Sequence, residues 1–426
     1  MTTRKKQREK RKEKKQVEEG VVQYFDYSLL AIVIFLMCFG LVMLYSTSSY
    51  RAQIKYGDSM YFFKRQALIS LASVFVMLVV AKINYHWYAK RSKILYIVAF
   101  VLMALVLTPL GIEVYGARRW IRLPLGQQMQ PSEVMKIAII LFIPYLICQA
   151  GSKVKQPKEA LKIFAWGVAA ALGVYKLTDN MSTGIIVLGI VSIMLIIVYP
   201  KSAPIVVLGI AACIVGYAGL HLLGEYLESS GSFRMERILV WLDPEKYASD
   251  GGLQVVQGLY AIGSGGFFGK GLGNSAQKMI IPEVQNDMIL AIICEELGVF
   301  GVIVMMTLFG YLLYRIYKIA QNAWDIEGKV LAIGVFTQIA LQLLINVMVV
   351  TSVIPTTGVT LPFFSAGGTS VVFLLAELGM VLNVDKYAKE RRFFEEAERH
   401  VAQMEQRGGI GAAGWRRRLD SARTHR

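Results

Sequence analysis

Long apolar runs separated by short polar segments occupy most of the chain. Each run has about the 20 residues that an α-helix needs to cross a bilayer. The pattern predicts ten spans, centred on residues 27–47, 62–82, 93–110, 132–149, 159–177, 182–199, 203–223, 287–314, 329–353 and 366–384. We therefore expect an all-α integral membrane protein of about ten transmembrane helices, with a long loop at 224–286 between helices 7 and 8.

Composition and charge agree with this pattern and add an orientation. Of the 426 residues, 55% are hydrophobic and 18% are charged, whereas soluble domains carry about 25% charged residues. The net charge of +16 is concentrated in two tails and in loops on one side. The positive-inside rule places both termini in the cytoplasm. The predicted organisation is a basic tail (1–25), a membrane domain (26–385) and a second basic tail (386–426).

The basic tails also bear on possible partners. Basic residues next to a span fix its orientation and attract anionic lipid. No aromatic or glycine-rich pattern in the tails supports nucleic-acid binding. The four cysteines and four histidines show no metal-ligand spacing, so we predict no metal site made by these residues.

The outward loop GIEVYGARRWIRLPLGQQMQPSE, residues 111–133, carries three arginines against the positive-inside trend. Guanidinium groups bind phosphate in a bidentate fashion, so Arg118, Arg119 and Arg122 are candidate phosphate ligands. The alternative is anchoring of arginine and Trp120 at the level of the lipid headgroups. Spacing alone leaves the two interpretations equally supported.

The end of this loop predicts a helix start. Pro131 suits the first turn, Ser132 can cap the helix, and Glu133 is favourable at the positive end of the helix dipole. Lys136 follows on the same helix face as Glu133, within reach of an ion pair. Geometry alone favours a structural salt bridge over a functional pair.

Two further outward segments are rich in glycine, proline and polar residues. The run GSGGFFGKGLG in loop 224–286 lacks the GxxxxGK[ST] spacing of a nucleotide-binding loop, and we interpret its glycines as tight turns and re-entrant backbone. The segment 346–372 contains two prolines and three glycines. The three outward segments are expected to converge on one polar cavity.

The stretch VQNDMILAIICEELG, residues 284–298, places three acids on one predicted helix. With Asp287 as the first residue, Glu295 and Glu296 lie about 12 Å deeper and turned away from it. Ionisable groups within spans usually pair inside the bundle. We therefore expect the two glutamates to be structural, capping broken backbone near 355–358.

Four ordered segments resemble the SEDS family (shape, elongation, division and sporulation), which includes RodA, FtsW and SpoVE. They are GARRWIRLPLGQQMQPSEVMK, RILVWLDPEKYASDGGLQVVQGLYAIGSGGFFGKGLGNS, PEVQNDMILAIICEELGVFG and IPTTGVTLPFFSAGGTS. The resemblance covers about residues 25–385. It departs from the family pattern at NDM, at TDNMSTG (178–184) and at SAGG. The basic N-terminal tail and the MST variant favour the division-type, FtsW-like branch.

The resemblance implies a peptidoglycan glycosyltransferase that polymerises lipid II on the outer face of the bacterial cytoplasmic membrane. It implies as partners a class B penicillin-binding protein (a transpeptidase) and other membrane proteins of the division complex. Asp287 is the implied essential acid. The substrate-binding residues by resemblance are Arg118, Arg119, Trp120, Glu133, Lys136, Gln254, Lys270 and Ser365. The structural residues by resemblance are Glu295, Glu296, Pro355, Gly358 and Pro362.

The implied reaction inverts an α-linked undecaprenyl-pyrophosphate donor to a β1→4 linkage, which requires one base. We assign that base to Asp287 and the diphosphate contacts to Arg118, Arg119 and Lys136, with Lys270 weaker; a divalent cation (Mg²⁺ or Mn²⁺) would assist departure of the pyrophosphate. A lipid II flippase and a non-catalytic division scaffold are the alternatives. A transporter places its key ionisable group near the midplane, whereas Asp287 lies at the outer boundary.

Overall fold

A computed structural model of the chain describes residues 26–114, 117–122, 128–200, 202–224, 233–247, 252–282, 284–364, 368–406 and 415–416. In this part of the chain, ten long helices occur where the ten spans are predicted. They are α1 (Tyr27–Tyr56), α2 (Tyr61–Val80), α3 (Tyr85–Leu105), α4 (Pro131–Ala150), α5 (Pro157–Leu177), α6 (Met181–Val198), α7 (Ala203–Gly224), α10 (Ile289–Asn322), α11 (Ile326–Val350) and α12 (Gly368–Gln406).

Eight of these helices are long and apolar enough to cross a membrane, judged on the described residues. They are all of the ten except α3 and α7. Helix α3 carries Lys90, Arg91 and Lys93 near its start, so every 18-residue window within it holds three charges. Helix α7 contains side chains outside the described set. The protein is thus a mostly helical, multi-pass membrane protein.

Local sequence explains where several helices begin. The side chain of Asp26 accepts a hydrogen bond from Leu29 N (3.0 Å) at the start of α1, and that of Asn180 accepts one from Thr183 N (3.0 Å) at the start of α6. Such caps satisfy backbone N–H groups that the first turn leaves unpaired. Pro131 occupies the first turn of α4, as its sequence predicts.

The loop between α3 and α4 contains a small antiparallel sheet that the all-α prediction lacked. Its strands are β1 (Gly111–Val114), β2 (Ala117–Arg122) and β3 (Gln128–Met129), in the order β1-β2-β3. Glu113 lies opposite Arg118 in this register, and the Arg118 Nε donates to Glu113 Oε2 over 3.2 Å. The sheet fixes the arginines of the loop on a defined surface.

The long loop after α7 is also structured in its described parts. It contains helices α8 (Phe233–Leu242) and α9 (Gly252–Gly265) and a short 3-10 turn at Gln277–Met279. The turns at Gly266, Gly269, Gly271 and Gly273 all have positive φ, which confirms the prediction of tight glycine turns. The loop therefore presents defined elements to the membrane domain.

Helix α10 is kinked where this loop packs against it. Gly298 has φ 68° and ψ −167°, which is not helical. A Cβ at Gly298 would overlap the backbone of Phe267 and Gly269. The backbone N–H groups of Val299 and Phe300 donate to the carbonyls of Gly266 and Phe267, each over 3.0 Å. The glycine turns of the loop thus supply partners for the interrupted helix.

The last helix extends well beyond the predicted span. Helix α12 packs against α2 in its membrane part and continues without a break to Gln406. The helix thus continues through residue 385, where the sequence predicts the change from membrane domain to C-terminal tail. Asp385 and Ala388, on either side of this change, are both buried.

Candidate active site

Asp287 lies in the turn of residues 284–288 that precedes α10. The helix begins at Ile289, so the prediction that it begins at Asp287 was two residues early. The angular offsets expected for Glu295 and Glu296 assumed one straight helix and do not apply to Asp287. The Asp287 carboxylate is half-buried, and its Oδ1 accepts a hydrogen bond from Gln254 Nε2 of α9 over 3.2 Å. The predicted site residue Gln254 is therefore beside the predicted base.

Two arginines from different elements flank this carboxylate. A Cβ placed on Gly358 would lie 4.0 Å from both Arg119 Nη1 and Asp287 Oδ2, so the two charged groups border the same glycine. Arg237 of α8 is within electrostatic range of Asp287. Burial lowers the pKa of the Arg237 guanidinium, and the negative charge of Asp287 opposes that shift. A carboxylate thus lies near two cationic groups, and Gly358 places no side chain beside Arg119 and Asp287.

The loop 352–359 is where these elements meet. Arg237 Nη1 donates to Thr356 O (3.2 Å) and Trp241 Nε1 donates to Ser352 O (2.9 Å). Ser182 of α6 donates to Thr357 O (3.3 Å). Pro355 and Gly358 belong to this extended segment, and Gly358 has φ 69°, which favours glycine. Their predicted structural role is consistent with these contacts.

We call the set Arg119, Asp179, Arg237, Gln254 and Asp287 the Asp287 cluster. Arg119 Nη2 donates to the backbone carbonyl of Asp179 over 3.1 Å, and Asp179 has φ 48°. The cluster combines residues from the sheet, the start of α6, α8, α9 and the turn before α10. The predicted convergence of the three outward segments is found in these contacts.

Other residues predicted to bind substrate lie outside the Asp287 cluster or outside the described residues. Arg118 is exposed and paired with Glu113. Trp120 is half-buried on β2, opposite Ile112. Ser365 lies outside the described residues. Arg118 and Trp120 remain predictions as substrate contacts, and Arg118 has the more accessible side chain.

The Glu133–Lys136 pair lies inside the helix bundle. Lys136 Nζ bonds Glu133 Oε1 over 2.9 Å, and the side chain of Lys136 is only 1% exposed. The structure therefore shows Lys136 in the ion pair that its spacing predicts, and its contact with a diphosphate stays a prediction. Glu133 borders a cavity of about 20 Å³ together with Pro362 and Gln338, large enough for one water molecule.

Lys270 and Glu295 pair with each other rather than with the Asp287 cluster. Lys270 Nζ bonds Glu295 Oε1 over 2.7 Å and Ser264 Oγ over 2.8 Å. Glu295 also accepts from the hydroxyl of Ser275 and from Ala276 N (3.2 Å). Lys270 therefore has a structural partner that its assignment as a diphosphate contact did not foresee.

Glu296 forms a second buried pair. Its Oε1 accepts from Lys278 Nζ (3.2 Å) and Ser275 N (3.4 Å), and its Oε2 accepts from Ser46 Oγ of α1 (2.5 Å). The partners of both glutamates thus lie mainly in the segment 270–278. The expectation that they cap backbone near 355–358 was wrong, because the kink at Gly298 brings the glycine-rich loop to them.

Three residues of the site were not among the predicted ones. They are Arg237, Asp179 and Asn346. The sequence contains a signal for each residue. Arg237 lies in an amphipathic segment of the long loop, Asp179 precedes a span, and Asn346 is an amide within an apolar helix. None of these signals names a partner, because each partner is distant in sequence.

The predicted divalent cation has no ready-made cluster of acidic, histidine or cysteine ligands within the described residues. No group of three or more histidine, cysteine, aspartate or glutamate side chains there could hold a metal ion. The positive charge near Asp287 comes from Arg119 and Arg237. The divalent cation stays a prediction.

Fold and site together define a membrane-embedded enzyme-like centre, and comparison with known proteins gives the family. Residues 27–390 match the family model for FtsW, RodA and SpoVE, described as "Cell cycle protein". This chain belongs to that family. It is similar to the stage V sporulation protein E of Bacillus subtilis (strain 168), with 36% identity over 85% of this chain and 98% of that protein.

Further relatives and structures agree. A probable peptidoglycan glycosyltransferase FtsW of Geobacter sp. (strain M18) is 36% identical over 85% of this chain and 97% of its own length. A chain in a solved peptidoglycan synthase complex, which coordinates polymerization and crosslinking, has 25% identity and a TM-score of 0.67 over 85% of this chain and 98% of that one. The rod shape determining protein RodA of Thermus thermophilus has 22% identity and a TM-score of 0.58, covering 85% and 97% of the two chains, and shares the fold.

Proposed function

We propose that this protein is a peptidoglycan glycosyltransferase that polymerises lipid II into β1→4 glycan strands, and that it does so in cell division. The observation that carries the proposal is the position of Asp287 beside Arg119, Arg237 and Gly358. Family relatives named peptidoglycan glycosyltransferase FtsW, at 33–36% identity, support the reaction.

The proposed chemistry requires one base and a cationic site for the leaving group. The 4-hydroxyl of the lipid II GlcNAc attacks C1 of the lipid-linked glycan and loses its proton to the Asp287 carboxylate. The C1–oxygen bond to pyrophosphate breaks, and undecaprenyl pyrophosphate leaves as an anion. Arg119 and Arg237 stabilise the charge that develops on the diphosphate, and Arg118 adds a cationic group at the rim.

We assign the Asp287 cluster to the outer face of the cytoplasmic membrane and both termini to the cytoplasm. The distribution of lysine and arginine supports this orientation. It also puts the base where lipid-linked sugar is polymerised and away from the nucleotide pools of the cytoplasm. A carboxylate at a helix start outside the bilayer core avoids the cost of a buried charge.

A class B penicillin-binding protein is the partner we propose. The similarity to a chain of a peptidoglycan synthase complex supports it, since polymerised strands must be crosslinked by a transpeptidase. The lipid-facing helices offer apolar surface for a partner helix, and helices α8 and α9 offer further surface. Other membrane proteins of the division complex complete the proposed set.

The test is polymer formation from purified lipid II by the full-length protein, alone and with a class B penicillin-binding protein. We expect the Asp287→Asn variant to lose at least about 100-fold in rate. The matched control is Asp58→Asn, since Asp58 is exposed and bonds Lys64 away from the cluster; it should keep full activity. Polymer that persists in Asp287→Asn would refute the base. No polymer from the wild type with either addition would favour lipid transport or a scaffold role.

A further inference from the structure

Asn346 of α11 makes two hydrogen bonds from one side-chain nitrogen. Its Nδ2 donates to the backbone carbonyl of Asp287 over 2.8 Å and to that of Val359 over 2.9 Å. The side chain is fully buried. Both partners are carbonyl oxygens, which only accept, so the nitrogen and not the oxygen of the amide has to face them.

The two carbonyls belong to the two segments that meet at the Asp287 cluster. One is the turn 284–288, which carries the proposed base, and the other is the end of loop 352–359, which carries Gly358. Neither segment is helical, so neither has a regular hydrogen-bond ladder to hold it. Asn346 lies on a long, regular helix and supplies both with a donor from a rigid element.

The orientation of this amide lowers the stability of the fold at one atom. Its Oδ1 is buried without a hydrogen-bond partner within the described part of the chain. A buried carbonyl oxygen without a donor lowers stability. An apolar residue would avoid that loss at this point of an apolar helix. Compared with an apolar residue, the asparagine provides the two hydrogen bonds to the two loops.

We propose that Asn346 is a positioning residue that sets the place of Asp287 relative to Gly358 and the flanking arginines. It acts through the backbone of Asp287 and does not contact the carboxylate. This inference rests on the proposed function for its effect on turnover, whereas its effect on the two loops stands on the geometry alone.

A second asparagine provides a matched control. Asn383 of α12 is also buried, donates to Ala81 O over 2.9 Å and accepts from Tyr85 N over 2.9 Å. It ties α12 to the start of α3 and makes no contact with the Asp287 cluster in the described structure. Its loss removes the same kind of bonds at a different place.

The first experiment measures backbone amide hydrogen exchange in the full-length protein in lipid nanodiscs. Asn346→Leu keeps a similar side-chain volume and removes both N–H donors, and Asn346→Ala serves as a second variant. We expect faster exchange in residues 284–290 and 355–360 for both. Asn383→Leu should speed exchange near 81–86 and leave those two segments unchanged. Unchanged exchange at 284–290 in the Asn346 variants would overturn the proposal.

The second experiment measures turnover and lipid II binding separately. We expect Asn346→Leu to lower kcat about 10- to 100-fold, since a small displacement of a reacting group has effects of this size, with KM and lipid II affinity unchanged. Asn383→Leu should lower the melting temperature without lowering kcat of the folded protein. A rise in KM at constant kcat, or an equal loss of kcat in Asn383→Leu, would contradict positioning. An inactive wild type would refute the proposed function, and hydrogen exchange would then decide the positioning geometry by itself.

Discussion

Gln254 Nε2 donates a hydrogen bond to Oδ1 of Asp287 over 3.2 Å, joining helix α9 of the long loop to the turn before α10. The contact lies at the centre of the Asp287 cluster and orients one carboxylate oxygen. A Cβ on Gly358 would lie 4.0 Å from the other oxygen, Oδ2. The hydrogen bond from Gln254 thus orients a half-buried carboxylate, as a base that must accept a proton from substrate in one geometry requires.

The first prediction concerns this contact. Gln254→Leu removes the donor at similar volume, and we expect kcat for lipid II polymerisation to fall about tenfold, the equivalent of one hydrogen bond. Lipid II affinity should be retained, because the arginines are unchanged. Gln149→Leu, at an exposed glutamine at the end of α4, should have no effect. Full turnover in Gln254→Leu would show that the contact does not orient the base.

The second prediction concerns the kink in α10. Gly298→Ala places a Cβ against the backbone of Phe267 and Gly269 at a φ of 68°, so the loop and the helix cannot both keep their positions. We expect loss of folded protein in the membrane. Gly310→Ala, in the same helix with open space around its Cβ position, should be neutral or slightly stabilising. Detergent-resistant folded protein measured by size-exclusion chromatography would decide; a normal yield of Gly298→Ala would contradict the close packing.

The spans and the kink in α10 show what the sequence could and could not predict. The spans follow from hydropathy, so all ten predicted spans coincide with helices in the described chain. The kink at Gly298 lies inside an apolar run, where nothing distinguishes an interrupted helix from a continuous one. The partners of Glu295 depend on that kink, which explains why they were misplaced.

The candidate site divides in the same way. Asp287 was found because an acid at the outer boundary of a span is unusual and because its motif resembles the family. Gln254 followed from the resemblance. Arg237 and Asn346 were missed, because their importance comes from contacts with segments more than 10 positions away, at Asp287 and Thr356. The burial of Lys136 was not foreseen, because it depends on how α4 packs in the bundle.

The third prediction concerns the ion pair of Glu296 and Lys278, whose side chains are 0% and 7% exposed. Removal of one partner from a buried pair leaves an uncompensated charge, which costs about 3–5 kcal/mol. We therefore expect Lys278→Met to lower the melting temperature strongly. The double variant Lys278→Met/Glu296→Gln should recover part of the loss, because no isolated charge remains.

Lys270→Met is the comparison for these two Lys278 variants. Lys270 is 37% exposed, so water partly screens its ion pair with Glu295, and the loss should be smaller than for Lys278→Met. Thermal unfolding in detergent, followed by tryptophan fluorescence, gives the melting temperatures of the wild type and the three variants. Equal destabilisation by Lys270→Met and Lys278→Met would contradict the role of burial. A double variant with a lower melting temperature than Lys278→Met would contradict the pairing.

The fourth prediction concerns pH and Asp325, which lies just before α11. Burial raises the pKa of this carboxyl, but hydrogen bonds from His86, Gly328 N and Tyr85 outweigh burial, and the pKa is lowered from its ordinary value. The His86 and Tyr85 contacts are each 2.8 Å and the Gly328 contact is 2.7 Å. A carboxyl with a lower pKa in the folded than in the unfolded state stabilises the fold above its unfolded value of about 3.9. That stabilisation is lost as pH falls through the folded value.

We therefore expect Asp325→Asn to lower the melting temperature at pH 7, with a difference from wild type that shrinks as pH falls below about 4. The control is Asp58→Asn. The pKa of Asp58 is also lowered, first by its hydrogen bond to Lys64, but its side chain is 42% exposed, and its substitution should have little effect at any pH. Melting curves in nanodiscs between pH 3 and pH 8 give the comparison. A deficit in Asp325→Asn that stays constant over this range would mean that packing, and not the ionised carboxylate, accounts for the contribution of Asp325, because only the charged form gains from the three donors.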